Sequence, residues 1–320
     1  MTVHMTDTLQ KFMFNDATVR GELVELVTTW QQVLTHHNYP PAVQHLLGEL
    51  SSAAALLCAN LKFEGSMIMQ IHGDGPIQLL VVECNHQLQL RAMAKLAENV
   101  AIADNTSLSE LINAHGKGRF VITLDPINKQ PGHQAYQGIV PIEGESIAAV
   151  IENYMKQSEQ LDTKLWLASD SKISRGMLLQ RLPTMGGTIE QNADPSDVIS
   201  KAESAQEAWR RACILGSTLS REELLSATIA TLIQRLFWEE ELRVFEPQNV
   251  TFSCSCSREK VGNMLKMLGE KEVTEAVTSL GKLDINCDFC GKPYYFDAVD
   301  CAQLFLSPEI TINPEVDRTH

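Results

Sequence analysis

No stretch of this 320-residue chain approaches the roughly 18 consecutive apolar residues that a membrane-spanning helix requires. Basic charge is scarce: 26 Lys and Arg stand against 40 Asp and Glu, a net charge of −14. A general binder of nucleic acid or anionic membrane carries the opposite sign, so neither partner is expected. Met1 to Phe14 has no basic stretch leading into an apolar one, and a secretory signal is therefore not expected there. Internal repeats and low-complexity tracts are lacking as well. Ser158-Glu159 has no Gly-x-Ser-x-Gly elbow around it. Gly73-Asp74-Gly75 has neither a third spaced glycine nor a following helix, and so reads as a turn, not a nucleotide cradle. No acid, base or cofactor constellation of an enzyme is present. The expectation is a soluble, cytoplasmic protein that is not an enzyme.

What is present falls into three stretches. Leu23, Val24, Leu26, Val27, Trp30 and Val33 recur at helical spacing, followed by Val43, Leu46, Leu47 and Leu50, which predicts a helical start over residues 1 to about 60. From Gly65 the pattern is that of strands. Met67–Ile71 and Ile77–Glu83 flank Gly73-Asp74-Gly75-Pro76 as a hairpin, and Gln87–Ala94 and Arg119–Leu124 follow. Ser146–Met155 returns to helix. Hairpin-like strands with helices at either end predict an α+β domain with antiparallel sheets. Pro183, Gly186, Gly187, Asn192 and Pro195 break the pattern, after which Asp197 to about Leu215 is helical. A second helix is predicted from Ser220, capped with Glu223, burying Leu225, Ile229, Leu232, Ile233 and Leu236. The expected division is an α+β core over residues 1–195, a helical linker over 196–250 and a cysteine-rich tail over 251–320.

Histidine and cysteine are distributed in opposite senses. After His133 there is no histidine before the terminal His320, while five of the eight cysteines fall between residues 254 and 301. In a cytosolic chain of this length such cysteines are metal ligands, redox thiols or core residues before they are structural disulfides. Cys254-Ser-Cys256 and Cys287-Asp-Phe-Cys290 form a C-x-C and a C-x-x-C pair. Four soft ligands without histidine favour one tetrahedral four-thiolate Zn²⁺ with Zn–S distances of about 2.3 Å. Four protein ligands leave no open position for hydrolytic chemistry. Lys260 and Lys292 are near enough in sequence to offset part of the thiolate charge. Cys301, followed by Leu304 and Phe305, reads as a buried small hydrophobe, as do Cys58 and Cys84; Cys213 has no cysteine neighbour. His36-His37 reads as an exposed helix end. Residues 251–320 carry 7 Lys and Arg against 11 Asp and Glu, which weighs against a second explanation, a zinc ribbon serving nucleic-acid binding or assembly with a purely structural metal.

These motifs bring a family into view. Phe252-Ser-Cys254-Ser-Cys256-Ser257-Arg258-Glu259 and Cys287-Asp-Phe-Cys290-Gly291 with Tyr295-Phe296 resemble the redox-regulated 33 kDa heat-shock chaperone family. Gly73-Asp74-Gly75-Pro76, Tyr154-Met-Lys-Gln-Ser158-Glu159-Gln160, Leu178-Leu179-Gln180-Arg181-Leu182-Pro183 and Leu236-Phe237-Trp238-Glu239-Glu240 extend the likeness along the chain. Trp238 departs from the family, where histidine is common, without touching a ligand. The resemblance implies an ATP-independent holdase for unfolding client proteins, a homodimer when oxidised. It implies an inactive reduced form with one zinc on Cys254, Cys256, Cys287 and Cys290. It further implies that oxidation to Cys254–Cys256 and Cys287–Cys290 disulfides ejects the metal, unfolds tail and linker, and uncovers apolar surface. The linker face of Leu225, Ile229, Leu232, Ile233 and Leu236 then becomes a candidate client-binding face.

Overall fold

The computed structural model describes residues 7–15, 17–128, 135–183 and 195–306. The chain divides into two compact units, residues 1–254 and 255–320. The first unit opens with strands β1 (Thr8–Phe14) and β2 (Val19–Leu26), then helices α1 (Thr28–Leu34) and α2 (Pro41–Cys58). Strands β3 (Gly65–His72), β4 (Ile77–Asn85) and β5 (Gln89–Leu96), the short helix α3 (Leu108–Ile112), and strands β6 (Arg119–Pro126) and β7 (Tyr136–Pro141) follow. Helix α4 (Ile147–Ser158) leads to β8 (Thr163–Ser169) and β9 (Ser174–Arg181). After residues 184–194, which lie outside the described residues together with most of the predicted break, come helices α5 (Pro195–Gly216), α6 (Arg221–Ser226) and α7 (Ile229–Phe237). Three short strands, β10 (Leu242–Val244), β11 (Gln248–Asn249) and β12 (Thr251–Phe252), end the unit.

Two six-stranded sheets result. The first has the order β10-β1-β2-β9-β8, with β11 also on β1; the second runs β12-β5-β4-β3-β6-β7. All pairings are antiparallel except the parallel docking of β12 on β5. The α+β class with antiparallel sheets is as the sequence predicts. Helix α2 packs against strands of both sheets and is apolar nearly all round, as an interior helix must be. Its two buried hydroxyls have partners: Ser51 donates to the Leu47 carbonyl, and Ser52 bonds with Ser174 on β9.

The first sheet is buried on both faces. Leu9, Val24, Leu26, Leu165 and Leu178 point to α2, while Phe12, Phe14, Val19, Leu23, Met177 and Leu179 point the other way. The second set is covered by Ala212, Leu219, Leu224, Leu232, Ile233, Leu236 and Phe237 from α5 to α7 and the turns joining them. This two-sided burial corrects the predicted helical start. Thr8–Phe14 and Val19–Leu26 are strands, because a strand apolar on both faces shows no alternation and its run of Leu and Val passes for a helix stripe. The single helix expected from Ser220 is also two. Ala227 is extended (φ −78°, ψ 151°), and the Thr228 hydroxyl restarts the helix by accepting from the Thr231 amide.

The second unit contains α8 (Arg258–Leu268), α9 (Glu270–Leu280), the hairpin β13 (Leu283–Asn286) and β14 (Pro293–Phe296), and α10 (Ala298–Phe305). Gly269 and Gly281 sit at the helix ends with φ of 100° and 79°, where a side chain would be strained. Its core is small: Leu265, Val273, Val277, Leu283, Tyr294, Phe296 and Cys301. Arg258 adds a polar brace by donating to the Tyr295 carbonyl, pairing with Asp300 and lying over the Phe296 ring.

Candidate metal centre

Strand β12 zips the chain onto β5 as far as Ser253, whose amide donates to the Leu90 carbonyl, so Cys254 emerges from a fixed backbone. Two residues on, Cys256 precedes α8, whose cap Ser257 accepts from the Lys260 amide. Cys287 and Cys290 occupy the turn of the β13–β14 hairpin. The Cys287 amide donates to the Lys292 carbonyl, and the Gly291 amide folds back onto the Cys287 carbonyl at 2.8 Å. Gly291 has φ 65°, a left-handed position that glycine adopts without penalty, which explains the Cys-x-x-Cys-Gly pattern.

The four sulfurs converge to within 4.8 Å of one another, with Cys256 Sγ and Cys290 Sγ 3.5 Å apart. A tetrahedron with Zn–S bonds of about 2.3 Å has S···S edges of about 3.8 Å, inside that range. The donor set fits a thiophilic ion such as Zn²⁺. All four cysteines are half-buried, which leaves the sulfurs within reach of small solutes. The closest sulfur contact runs between the pairs and not within either, as a tetrahedral cluster allows, and it does not decide which disulfides form.

Of the two cations that the sequence offered to this cluster, Lys260 Nζ lies on Ser255 Oγ at 3.1 Å and Lys292 Nζ lies 5.6 Å from the centre of the Tyr294 ring. A cation with a bond to sulfur comes from elsewhere: Arg91 on β5 donates from Nη1 to Cys254 Sγ at 3.6 Å. Sequence separation hid it, since the two residues are 163 positions apart and no motif marks Arg91. The other cysteines lie apart from the cluster. Cys301 is buried on α10, and Cys58 is buried at the end of α2, its thiol donating to the Cys84 carbonyl at 3.2 Å. On α7, Leu232, Ile233 and Leu236 are buried against the outer face of the first sheet; Ile229 on α7 and Leu225 on α6 pack there partly buried.

The chain is 45% identical to the 33 kDa chaperonin of Methylobacillus flagellatus over 95% of its own length and 96% of that protein. It is equally similar, with the same coverage, to the 33 kDa chaperonin of Chromobacterium violaceum. In fold it resembles the crystal structure of the 33 kDa chaperonin (heat shock protein 33 homologue) from Thermotoga maritima, with a TM-score of 0.73 at 22% identity, covering 93% of this chain and 97% of that one. No helix among the described residues is long and apolar enough to cross a membrane. A match to the Hsp33 protein family extends over residues 7–297, so the chain belongs to the Hsp33 chaperone family.

Proposed function

We propose that this protein is an ATP-independent holdase, silent when reduced and switched on by oxidation of its four clustered cysteines. The observation that carries the proposal is the outer face of the first sheet. Phe12, Phe14, Val19, Leu23, Met177 and Leu179 form an apolar surface whose cover, α5 to α7, is joined to the cysteine cluster by about sixteen residues. An apolar face released from its cover binds other exposed apolar chains. The division into core (1–195), linker (196–250) and switch (251–320) follows from that logic.

Zn²⁺, when bound to Cys254, Cys256, Cys287 and Cys290, would supply a four-way cross-link worth roughly 10–16 kcal/mol of apparent folding energy. Among the described residues the core of the second unit has seven members, too few to hold a fold securely without such a staple. Oxidation of Cys254 with Cys256 and of Cys287 with Cys290 removes all four donors. Each pair of thiolates gives up two electrons to one hydrogen peroxide, which takes up two protons from solvent, forming one S–S bond and two waters. The residues that those thiolates held then unfold, and the linker helices follow. Unfolding client proteins are the partners, a homodimer is the expected oxidised form, and the cytoplasm is the compartment, where thiols are reduced at rest.

The test is suppression of aggregation of a heat-denatured client by reduced and by peroxide- or hypochlorous-acid-treated protein, without nucleotide. Activity should appear only after treatment. Equal activity in both forms would leave the metal a structural element only.

A further inference from the structure

Glu83 on β4 and Arg91 on β5 are cross-strand partners, on the sheet face opposite to buried Leu90 and Ala92. Arg91 donates to the same Glu83 oxygen from Nε (2.9 Å) and from Nη2 (2.5 Å). Two donors on one carboxylate fix the plane of the guanidinium, and the fork then aims Nη1 at Cys254 Sγ. The side chains of Arg91 and Glu83 are only 15% and 24% exposed, so solvent screens the contact weakly. The sulfur is held from the other side by the backbone, because β12 is paired with β5 up to the residue before Cys254. Arg91 and Cys254 both belong to the first unit.

From this geometry we infer that Arg91 is a positioning residue for metal binding: oriented by Glu83, it holds the Cys254 sulfur in place and offsets the negative charge that four thiolates leave on a divalent ion. The inference rests on the proposal that the four cysteines hold zinc. The physical basis is that a donor behind a ligand fixes the ligand's orientation, while its positive charge lowers the cost of gathering four thiolates around a divalent ion. Loss of such an outer donor typically lowers metal affinity about 10–100-fold. Lysine cannot substitute fully, since an ammonium has no planar fork to share between a carboxylate and a sulfur.

The experiment compares full-length reduced wild type with Arg91→Met, Arg91→Lys and Glu83→Gln. Zinc affinity is read by competition with a chromophoric chelator, and the thiolate-to-metal charge-transfer band is recorded after cobalt(II) substitution. Arg91→Met should bind zinc about 10–100-fold more weakly and shift the cobalt band. Arg91→Lys should recover part of the affinity, and Glu83→Gln should weaken binding in the same direction by less. Thermal unfolding of the metal-free forms separates positioning from support of the sheet. The inference is overturned if both Arg91 variants keep wild-type affinity within about twofold with an unchanged cobalt band, or if metal-free Arg91→Met and Arg91→Lys unfold well below metal-free wild type. Should wild type itself take up neither zinc nor cobalt, it is the metal proposal that falls, before Arg91 enters.

Discussion

Arg175 on β9 stands opposite Glu25 on β2 and pairs with it beneath the linker helices. Its guanidinium also donates to the Leu224 carbonyl at 3.0 Å and to the Ala227 carbonyl, both freed by the break between α6 and α7. The side chain is 7% exposed, and Nε, also buried, has no hydrogen-bond partner. The linker is therefore seated partly on a buried, incompletely satisfied charge. Such a seat holds in one geometry and gains hydration once it opens, which suits the proposed release of this cover.

Removing Arg175 alone should loosen the linker. Arg175→Ala leaves the half-buried Glu25 without its cation and two carbonyls without a donor, a loss of up to about 3–5 kcal/mol, the range for a fully buried pair. Amide exchange over residues 221–237 should accelerate in the reduced protein, with basal holdase activity. The double variant Arg175→Met/Glu25→Leu should do the opposite, being neutral or stabilising by about 1–4 kcal/mol, and should need more oxidant for activation. Slow exchange and silence in Arg175→Ala would remove the polar seat from the account.

Leu232 is 1% exposed, packed among Phe12, Phe14 and their neighbours. Leu232→Asp places a carboxylate there without a partner, and the helix must lift off or the acid must stay protonated. Partial suppression of client aggregation without any oxidant is expected. A folded and silent Leu232→Asp protein would rule out this helix as the cover.

The architecture was legible in the sequence wherever burial is one-sided. Strand β3 shows its alternation and helix α4 its Ser146 cap directly. Strands β1, β2, β8 and β9 did not, because covers on both faces erase the alternation that distinguishes a strand. The four sulfurs were legible because their spacing repeats the chemistry of a tetrahedral ion. Arg91 was not, because only the pairing of β12 with β5 brings it to Cys254.

Stoichiometry follows from the cluster. Reduced protein should carry one zinc per chain, since among the described residues one group of cysteine sulfurs converges. Cys287→Ser replaces a thiolate with a far poorer donor and should weaken binding greatly. Full metal content in that variant, measured by atomic absorption after dialysis, contradicts the ligand set.

Glu49 on α2 supplies a pH dependence. Burial pushes its carboxyl up to about 7, outweighing the attraction of Arg221 on α6, which it meets at 3.3 Å. The folded chain keeps this proton until about pH 7, whereas the unfolded chain releases it near 4.5. The folded state thus binds more protons between these values, and its stability falls as pH rises through the window. Glu49→Gln should flatten that slope. Urea unfolding at about pH 5 and about pH 8 checks it, through a stability difference between variant and wild type that grows in favour of the variant at the higher pH.

The switch itself should be selective among the eight cysteines. Only thiolates react readily with oxidants, and metal-bound cysteines are already deprotonated. Of the others, Cys58, Cys84 and Cys301 are buried and Cys213 is half-buried. Cys84 is held well above its usual range by its hydrogen bond with Cys58 and by desolvation, burial pushes Cys213 up to about 11, and desolvation raises Cys301 in the same direction. Hypochlorous acid should therefore consume four thiols per chain, at Cys254, Cys256, Cys287 and Cys290, while Cys58, Cys84, Cys213 and Cys301 remain alkylatable after unfolding. Helical signal should fall in the same step, as α8, α9 and part of α5 to α7 melt. Dithiothreitol with zinc should restore helix and silence together, because disulfides are reducible where sulfinic acids are not. Zinc release, circular dichroism, thiol mapping by mass spectrometry and client aggregation, followed on one sample over time, make the comparison. Holdase activity rising while zinc stays bound and the helices stay intact would separate the chaperone from the cysteines, and the covered sheet face would then need another trigger.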